Sequence, residues 1–226
     1  SPDLLLPAVA CEVQRAIGAT HAFAYDMNAA CTGFVFAYNT AVSYMNMGFI
    51  RYALIVGCEQ LSQIVDWSDR GSCILFGDGA GAAVISAVEG ECQMVMHSDG
   101  NGGEALWCTR DGKLHMDGRS VFQFAVRAVP ECVEELLEKM KLKKEEIDFF
   151  LFHQANARIL DSVAKRLGIA HEKMPVNIAE YGNTSSASIP ILLDEWNRKG
   201  YLHEGQRLIL AGFGAGLSWG AAYAEI

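Results

Sequence analysis

A repeated arrangement of glycines limits the folds that this chain can adopt. Gly77-Asp-Gly-Ala-Gly81 stands directly before one expected strand, and Gly212-Phe-Gly-Ala-Gly216 stands before another. Cys31 precedes Gly57 by the same number of residues as Ser186 precedes Gly212, and each interval contains an apolar helix pattern and then a strand pattern. The repeat indicates two related α/β halves packed together, with a site at their junction. Chance recurrence of glycine-rich strand turns is the alternative.

Hydrophobic periodicity predicts the order of the elements. Helices are expected at 4–17, 31–47, 120–140, 155–167 and 186–198, the third of them interrupted or kinked at Pro130. Strands are expected at 22–27, 52–56, 73–76, 80–88, 147–152, 207–213 and 217–226, and residues 98–119 are expected to form a polar loop region. The unbroken apolar run at 52–56 is typical of a sheet covered on both faces. We place the boundary between the halves after residue 92, which gives units 1–92 and 93–226.

Composition excludes several classes of function. The net charge of −9 argues against generic nucleic-acid binding, and no apolar run is long enough to cross a membrane. The first residues, Ser-Pro-Asp-Leu-Leu-Leu-Pro, lack the basic start of a secretion signal. Seven cysteines without a C-x-x-C pair are typical of reduced thiols in the cytoplasm. The six histidines show no ligand spacing, so no metal site is predicted.

Cys31 is the candidate nucleophile. It lies where a strand is expected to end and a buried helix to begin, with Ala29 and Ala30 before it and Gly33 after it. A helix N-terminus stabilises negative charge, so we expect a lowered pKa for this thiol, and the small neighbours leave room for a substrate carbonyl. The other six cysteines lack this combination. The alternative is a buried structural thiol.

His153 and Asn183 are the candidate partners of Cys31. His153 follows the apolar run Phe-Phe-Leu-Phe, which fixes its backbone deep in the fold, although a hydrogen-bonded structural histidine is the alternative. Asn183 precedes Thr-Ser-Ser-Ala-Ser and is either a cap or turn residue or a donor to an oxyanion. Neither glycine-rich turn fits a nucleotide-binding loop, so Gly214–Gly216 is expected to be a tight turn whose N–H groups face the site.

Seven motifs along the chain together resemble the β-ketoacyl-acyl-carrier-protein synthase III family of thiolase-like condensing enzymes. Each motif is weak alone, but they occur in the family's order over the whole length. They are Ala-Ala-Cys-Thr-Gly-Phe (29–34), Asp-Trp-Ser-Asp-Arg-Gly (66–71), Leu-Phe-Gly-Asp-Gly-Ala-Gly-Ala (75–82), Phe-Gln-Phe-Ala-Val-Arg-Ala-Val-Pro (122–130), His-Gln-Ala-Asn-Ala-Arg-Ile (153–159), Tyr-Gly-Asn-Thr-Ser-Ser-Ala-Ser-Ile-Pro (181–190) and Gly-Phe-Gly-Ala-Gly-Leu-Ser-Trp-Gly (212–220).

The resemblance implies a thiolase-like fold, in which mixed sheets of two related halves are layered between helices in the order αβαβα. It also implies a reaction. Cys31 takes an acyl group, usually acetyl, from acyl-CoA and holds it as a thioester. His153 and Asn183 then stabilise the enolate formed when malonyl-acyl carrier protein (malonyl-ACP) loses carbon dioxide, and this carbanion attacks the acyl group. The backbone N–H groups of Cys31 and Ala215 are the expected oxyanion hole.

The resemblance further implies binding surfaces. The residues that match the CoA and pantetheine channel are Arg70, Asn156 and Phe213. The residues that match the ACP-docking face of one helix are Arg158, Lys165 and Arg166, for which a merely solvated charged face is the alternative. Gln123 stands where family members often carry a basic residue, so docking is expected to depend more on Arg158 and Lys165. A homodimer without a cofactor is implied.

The resemblance starts well inside the family's N-terminal half. We therefore expect the first half to be incomplete here, a sheet edge to be exposed, and the 226-residue chain alone to be inactive. Three alternatives remain. The first is a related condensing enzyme that uses another acyl primer in specialised metabolism, and the second is a Cys-His-Asn thioester hydrolase. The third is a non-catalytic partner subunit, against which the presence of Cys31 argues.

Overall fold

The computed structural model describes residues 6–87, 93–109 and 112–226. Its α-helices are α1 (Val9–Ala16), α2 (Gly33–Asn46), α3 (Gly118–Met140), α4 (Ala157–Leu167), α5 (Ile178–Tyr181) and α6 (Ser188–Arg198). Short 3-10 helices occur at Ala30–Thr32, Leu61–Gln63, Gly100–Ala105, Lys144–Glu146, His171–Lys173 and Ser185–Ala187.

Within the described residues, the strands form three sheets. In chain order they are β1 (Tyr52–Glu59), β2 (Gly79–Ser86), β3 (Met94–Ser98), β4 (Leu106–Cys108), β5 (Leu114–Met116), β6 (Phe149–Phe152), β7 (Arg207–Gly214) and β8 (Ser218–Glu225). Strands β1 and β2 pair antiparallel in one sheet, and β4 and β5 pair antiparallel in another. The third sheet has the order β3-β8-β7-β6, in which only the pair β6–β7 is parallel.

The four-stranded sheet is buried on both faces because consecutive residues of its central strands point into different cores. Phe150 and Ile209 belong to a core shared with α3 and α4, whereas Leu151 and Leu210 belong to a core shared with α2 and α6. Burying one such side chain contributes about 1.5–3 kcal/mol. Helices α2 and α6 thus lie between this sheet and the β1–β2 sheet, which is the central part of the predicted layering.

Strand β1 is covered on one face only among the described residues. Ile55 is buried towards α2 and α6, whereas the side chains of Leu54 and Val56 are exposed. The prediction of a sheet covered on both faces at 52–56 is therefore wrong for the described part of the chain. A continuous apolar run predicted full burial, but burial depends on what packs against each face.

Several element boundaries differ from the prediction. Helix α1 begins only after Pro7, because a residue that precedes proline is disfavoured in a helix; residues 4 and 5 lie outside the described residues. Residues 22–27 form no strand, since they have no pairing partner among the described residues. Residues 73–76 form a turn, with a single bridge from Phe76 to Asn183. The region 98–119, expected to be a loop, contains the hairpin β4–β5.

The boundary predicted after Cys92 and the end of the strand predicted at 80–88 also lie outside the described residues, so the division into units 1–92 and 93–226 stays a prediction.

Pro130 does not interrupt α3. A proline cannot donate to the carbonyl four residues earlier, which here belongs to Val126. The Arg166 guanidinium on α4 donates to that carbonyl instead, with 3.2 Å between Nη1 and the oxygen. The predicted interruption is therefore absent, whereas the alternative, a kink at Pro130, stays a prediction. A bond between two helices replaces the missing one within α3. Within the described residues, no helix is both long and apolar enough to span a bilayer.

Candidate active site

Cys31 lies in a sharp turn that leads into α2. Ala30 adopts a φ of 46°, in the left-handed region that a residue with a Cβ rarely occupies. The Thr32 hydroxyl donates to the Ser218 carbonyl oxygen at 3.1 Å and fixes the turn to β8. A Cβ at Gly214 would lie 2.9 Å from the Cys31 nitrogen, so only glycine allows the end of β7 to approach this closely. The nucleophile is therefore held between elements of both halves.

The second half repeats this turn. Ser185 adopts a φ of 52° at the start of the 3-10 helix that leads into α6, as Ala30 does before α2. A Cβ at Gly57 would lie 2.6 Å from the Ser186 carbonyl oxygen, and one at Gly212 would lie 3.4 Å from the Thr32 Cα. Each half therefore presents a strand glycine to the turn of the other half. The repeat predicted from the sequence has this reciprocal contact as its structural counterpart.

Burial raises the pKa of the Cys31 thiol to about 11, although a hydrogen bond with the Ser185 side chain offsets part of the rise. The prediction of a lowered pKa is thus wrong for the free site. The position at a helix N-terminus was identified correctly, but loss of hydration of the thiolate outweighs what that position contributes. The resting thiol is protonated at neutral pH.

We expect alkylation of Cys31 by iodoacetamide to accelerate about tenfold for each pH unit between 7 and 9, because only the thiolate reacts and its fraction grows as the pH approaches 11. Peptide mass mapping over time gives the rate. Glutathione in the same samples is the control, and its rate should level off near its own, lower pKa. A plateau for Cys31 below pH 8 would contradict the raised pKa.

His153 follows β6 and is buried. Its backbone N–H donates to the Ala211 carbonyl oxygen at 2.9 Å, and its Nδ1 lies 2.7 Å from the Ser188 hydroxyl oxygen. That oxygen also accepts the Gln154 N–H at 3.2 Å, and we assign the Ser188 proton to the bond with Nδ1 as the tautomer that leaves Nε2 free to donate into the cavity. Burial lowers the pKa of His153 to about 3. The ring is therefore neutral and, in this tautomer, carries its proton on Nε2 as a hydrogen-bond donor.

Asn183 is fixed by its backbone and by one atom of its side chain. Its N–H donates to the Leu75 carbonyl oxygen at 2.7 Å, and its own carbonyl oxygen accepts the Gly77 N–H at 3.0 Å. The side-chain Oδ1 accepts the Ser185 N–H at 2.9 Å. Because a backbone donor requires the oxygen on that side, the amide orientation is determined and Nδ2 is left as a donor.

One cavity of about 90 Å³ joins these groups. Cys31, His153 and Asn183 all line it, and most of the remaining lining is apolar. The β4–β5 hairpin contributes Leu106 and Met116, which face each other in register. An apolar enclosure strengthens hydrogen bonds to a charge that develops inside it. The arrangement can hold a small acyl group on the thiol beside two neutral donors.

The other predicted site residues lie in different surroundings. Asn156 and Phe213 line the cavity, but the Asn156 side chain also caps α4 by accepting the Arg158 N–H at 2.8 Å. Arg70 is exposed in a turn and does not line the cavity. Ala215 follows the lining residue Gly214, and its carbonyl oxygen accepts from the Ser218 hydroxyl at 3.1 Å. Its role in an oxyanion hole therefore stays a prediction.

The basic residues of α4 are all exposed. Arg166 bends towards α3, where it contacts the Val126 carbonyl oxygen and lies 3.6 Å from a Glu131 oxygen. For Arg158 and Lys165 the structure gives no such side-chain contact to α3. Among the described residues, no group of acidic, histidine and cysteine side chains could hold a metal ion.

Sequence reasoning missed the residues that support the site. Ser185 and Ser188 lie within the Asn-Thr-Ser-Ser-Ala-Ser motif, so that motif carried their signal, but it did not show which hydroxyl contacts Cys31 and which contacts His153. Leu106 and Met116 were assigned to a loop. No sequence signal pointed to Glu59, whose carboxylate accepts from the Ser186 hydroxyl at 2.6 Å.

Two family models with closely related descriptions match separate parts of the chain. A family model described as "3-Oxoacyl-[acyl-carrier-protein (ACP)] synthase III" matches residues 25–100. A second, described as "3-Oxoacyl-[acyl-carrier-protein (ACP)] synthase III C terminal", matches residues 137–226.

Individual relatives agree with these matches. The β-ketoacyl-ACP synthase III of Clostridium acetobutylicum is 45% identical over 98% of this chain and 73% of its own length. The crystal structure of 3-oxoacyl-ACP synthase III from Aquifex aeolicus superposes with a TM-score of 0.95 at 41% identity, over 100% of this chain and 74% of that one. The priming β-ketosynthase of the R1128 polyketide pathway superposes with a TM-score of 0.95 at 33% identity, over 100% and 72% of the two chains.

These likenesses confirm the predicted thiolase-like fold, and the chain spans about three quarters of the length of such relatives. The chain therefore belongs to the β-ketoacyl-ACP synthase III family, the condensing acyltransferases that begin fatty-acid synthesis.

Proposed function

We propose that Cys31 accepts an acyl group, acetyl in the first instance, from acyl-CoA and that His153 and Asn183 then promote its condensation with malonyl-ACP. One observation supports this most strongly: a thiol and two neutral hydrogen-bond donors line the same apolar cavity. A decarboxylation that forms an enolate needs donors at the developing negative charge, and each is typically worth about 3–4 kcal/mol.

The proposed reaction consists of an acyl transfer to Cys31 and a condensation. The Cys31 sulfur forms a bond to the acyl carbon, the bond to the CoA sulfur breaks, and the thiol proton leaves with CoA. Malonyl-ACP loses carbon dioxide, and the electron pair of the broken bond forms an enolate whose oxygen accepts hydrogen bonds from His153 Nε2 and Asn183 Nδ2. The enolate carbon attacks the acyl carbon, and the bond to Cys31 breaks to release β-ketoacyl-ACP. The sulfur leaves with the electron pair as a thiolate and takes up a proton from solvent, which restores the thiol. Backbone N–H groups of Cys31 and Ala215 are the proposed oxyanion donors in both transfers.

The Cys31 thiol must lose its proton during the attack, since at a pKa of about 11 only about one thiol in ten thousand is ionised at neutral pH. We infer that substrate binding promotes ionisation, because the oxyanion donors stabilise the negative charge that passes from sulfur to the carbonyl oxygen. No resting thiolate is needed for this step.

The test is intact-mass measurement of the full-length protein after incubation with acetyl-CoA. We expect a stable gain of one acetyl group, which malonyl-ACP then removes as a condensation product. Rapid release of free acetate would instead identify a thioester hydrolase. The neutral His153 opposes that alternative, since a ring whose pKa is about 3 and whose Nδ1 is paired with a serine is a weak base towards water.

A different acyl primer is the second candidate. The likeness to a priming ketosynthase of polyketide synthesis favours it, since that protein shares the fold at 33% identity. Competition between acetyl-CoA and branched or longer acyl-CoA in the same mass experiment decides between the primers.

We propose further that Arg70, Asn156 and Phe213 contact CoA and the pantetheine arm, and that the protein works in the cytoplasm as a homodimer without a cofactor. Among the described residues, Cys11, Cys31, Cys73, Cys108 and Cys132 are free thiols, which is consistent with a reducing compartment.

Arg158 and Lys165 are the proposed contacts for acidic ACP. We expect Arg158→Ala and Lys165→Ala each to raise the KM for malonyl-ACP about two- to fivefold at unchanged kcat, because exposed ion pairs are weak. The effect should shrink in high salt. Arg166→Ala should instead lower stability, by at most about 1 kcal/mol, because it removes the bond to the Val126 carbonyl. Steady-state kinetics and thermal unfolding of the three variants separate the two roles, and identical behaviour of all three would contradict this assignment.

A further inference from the structure

One short segment contacts all three proposed catalytic side chains. We call residues 183–188 the serine turn. Its Ser185 side chain lowers the pKa of the neighbouring Cys31 thiol, and its Ser188 hydroxyl lies 2.7 Å from His153 Nδ1. Asn183 is itself part of the turn and is oriented by the Ser185 N–H. A displacement of this turn would therefore move the nucleophile and both donors relative to one another.

The serine turn does not hold its shape by local preference alone. Ser185 adopts a φ of 52°, which costs free energy for a residue with a Cβ and persists only where surrounding contacts impose it. Three such contacts come from the other half of the molecule. The close approaches of Gly57 and Gly33 to Ser186 are steric, whereas the bond to Glu59 is directional.

Glu59 is the last residue of β1, so its backbone is fixed by the ladder with β2. Its side chain is partly buried, and its Oε1 accepts from the Ser186 hydroxyl at 2.6 Å. A hydrogen bond to a carboxylate is short and strong compared with one between neutral groups. Glu59 thus connects a rigid strand of one half to the strained turn of the other.

We propose that Glu59 is a positioning residue for the condensation: its carboxylate, by accepting from Ser186, holds the serine turn in register with Cys31 and His153. The proposal depends on the roles proposed above for those two residues and Asn183. Glu59 does not line the cavity, so it acts through the turn and not on the substrate.

The charge of Glu59 is a competing explanation. A carboxylate near the site disfavours a thiolate at Cys31, and its influence reaches both Cys31 and His153. The positioning effect and the charge effect of Glu59 can be measured separately, because Glu59→Gln keeps the acceptor oxygen for Ser186 and loses the charge. Alanine loses both, and Ser186→Ala loses the bond while the carboxylate stays.

The experiment measures Cys31 acetylation by intact mass, and kcat and KM for condensation, in full-length Glu59→Gln, Glu59→Ala, Ser186→Ala and the Glu59→Ala/Ser186→Ala double variant. We expect the alanine variants to lose about ten- to a hundredfold in kcat, with KM for malonyl-ACP changed less than about twofold, because misplacement of about 1 Å affects chemistry more than binding. Glu59→Gln should stay within about threefold of the parent. The double variant should be no slower than the slower single variant, since both remove one bond.

Asp194→Ala is the matched control, because it removes a carboxylate that pairs with Arg198 on the exposed side of α6; it should keep kcat within about twofold. Parental kcat in both alanine variants, or a Glu59→Gln as slow as Glu59→Ala, overturns the proposal. If Glu59→Ala fails to fold, Ser186→Ala and Glu59→Gln decide. Failure of the proposed function is a different result, namely a parent protein that gains no acetyl group.

Discussion

Cys31→Ala is expected to gain no acetyl group from acetyl-CoA and to lose condensation by at least about a thousandfold. The sulfur forms the covalent bond in the proposed reaction, and no neighbouring side chain can replace it. Cys31 is the one cysteine among the described residues that lines the cavity with both donors, so acylation elsewhere would not reach them. Intact mass and condensation rate give the result.

The folded state of this variant can be checked separately. Alanine fits the volume of the buried thiol closely, so thermal unfolding should change little. Decarboxylation of malonyl-ACP should survive, because His153 and Asn183 are untouched. An acetylated Cys31→Ala protein with parental condensation would remove Cys31 from the mechanism.

His153→Ala is expected to slow malonyl-ACP decarboxylation about a hundred- to a thousandfold, which is typical for loss of one donor to an enzyme-bound oxyanion. Acetylation of Cys31 should proceed, since the neutral ring is not its base. Release of carbon dioxide and intact mass, measured on one sample, report the two steps. The variant also removes the hydrogen-bond partner of the Ser188 hydroxyl, so the site has to be checked for disturbance. Retained acetylation of Cys31 in the same sample is that control.

Asn183→Asp is the matched variant for the second donor. Aspartate keeps an oxygen for the Ser185 N–H and so preserves the turn, but it places a carboxylate oxygen where Nδ2 donated. Decarboxylation should fall at least as far as in His153→Ala. Loss of acetylation in both variants would contradict the division of roles between thiol and donors.

The elements with long periodic patterns were the ones that sequence predicted well. Helices α3, α4 and α6 and strands β6, β7 and β8 all lie within a few residues of their predicted bounds. Two failures, at residues 22–27 and at Pro130, depended on a partner distant in sequence, whereas the β4–β5 hairpin was missed because its pairing is short. Residues 22–27 are apolar but unpaired, and β4 pairs with β5 through only three residues each. Pro130 was expected to interrupt or kink a helix in which Arg166, from another helix, donates to the carbonyl that the proline leaves without a donor.

The proposed identities of the site residues followed from motifs, whereas their chemical states did not. A cysteine at a helix N-terminus was expected to be acidic, and the same cysteine has a raised pKa because it is buried. Segments from both halves bury Cys31, and one of them is the end of β7, where Gly214 approaches the Cys31 backbone. The same applies to His153, whose neutrality follows from the surrounding core.

The sequence by itself determined the two-part α/β plan and the family, because apolar periodicity and the order of seven motifs are local properties of the chain. Only the tertiary structure decided that burial raises the pKa of the Cys31 thiol, that the Ser188 hydroxyl lies beside His153 Nδ1, and that the serine turn is tied to Glu59 across the two halves. Protonation and hydrogen-bond direction depend on desolvation and on partners more than a hundred residues away, as Ser186 is from Glu59. Residues so far apart in sequence become neighbours only through the packing of the folded chain.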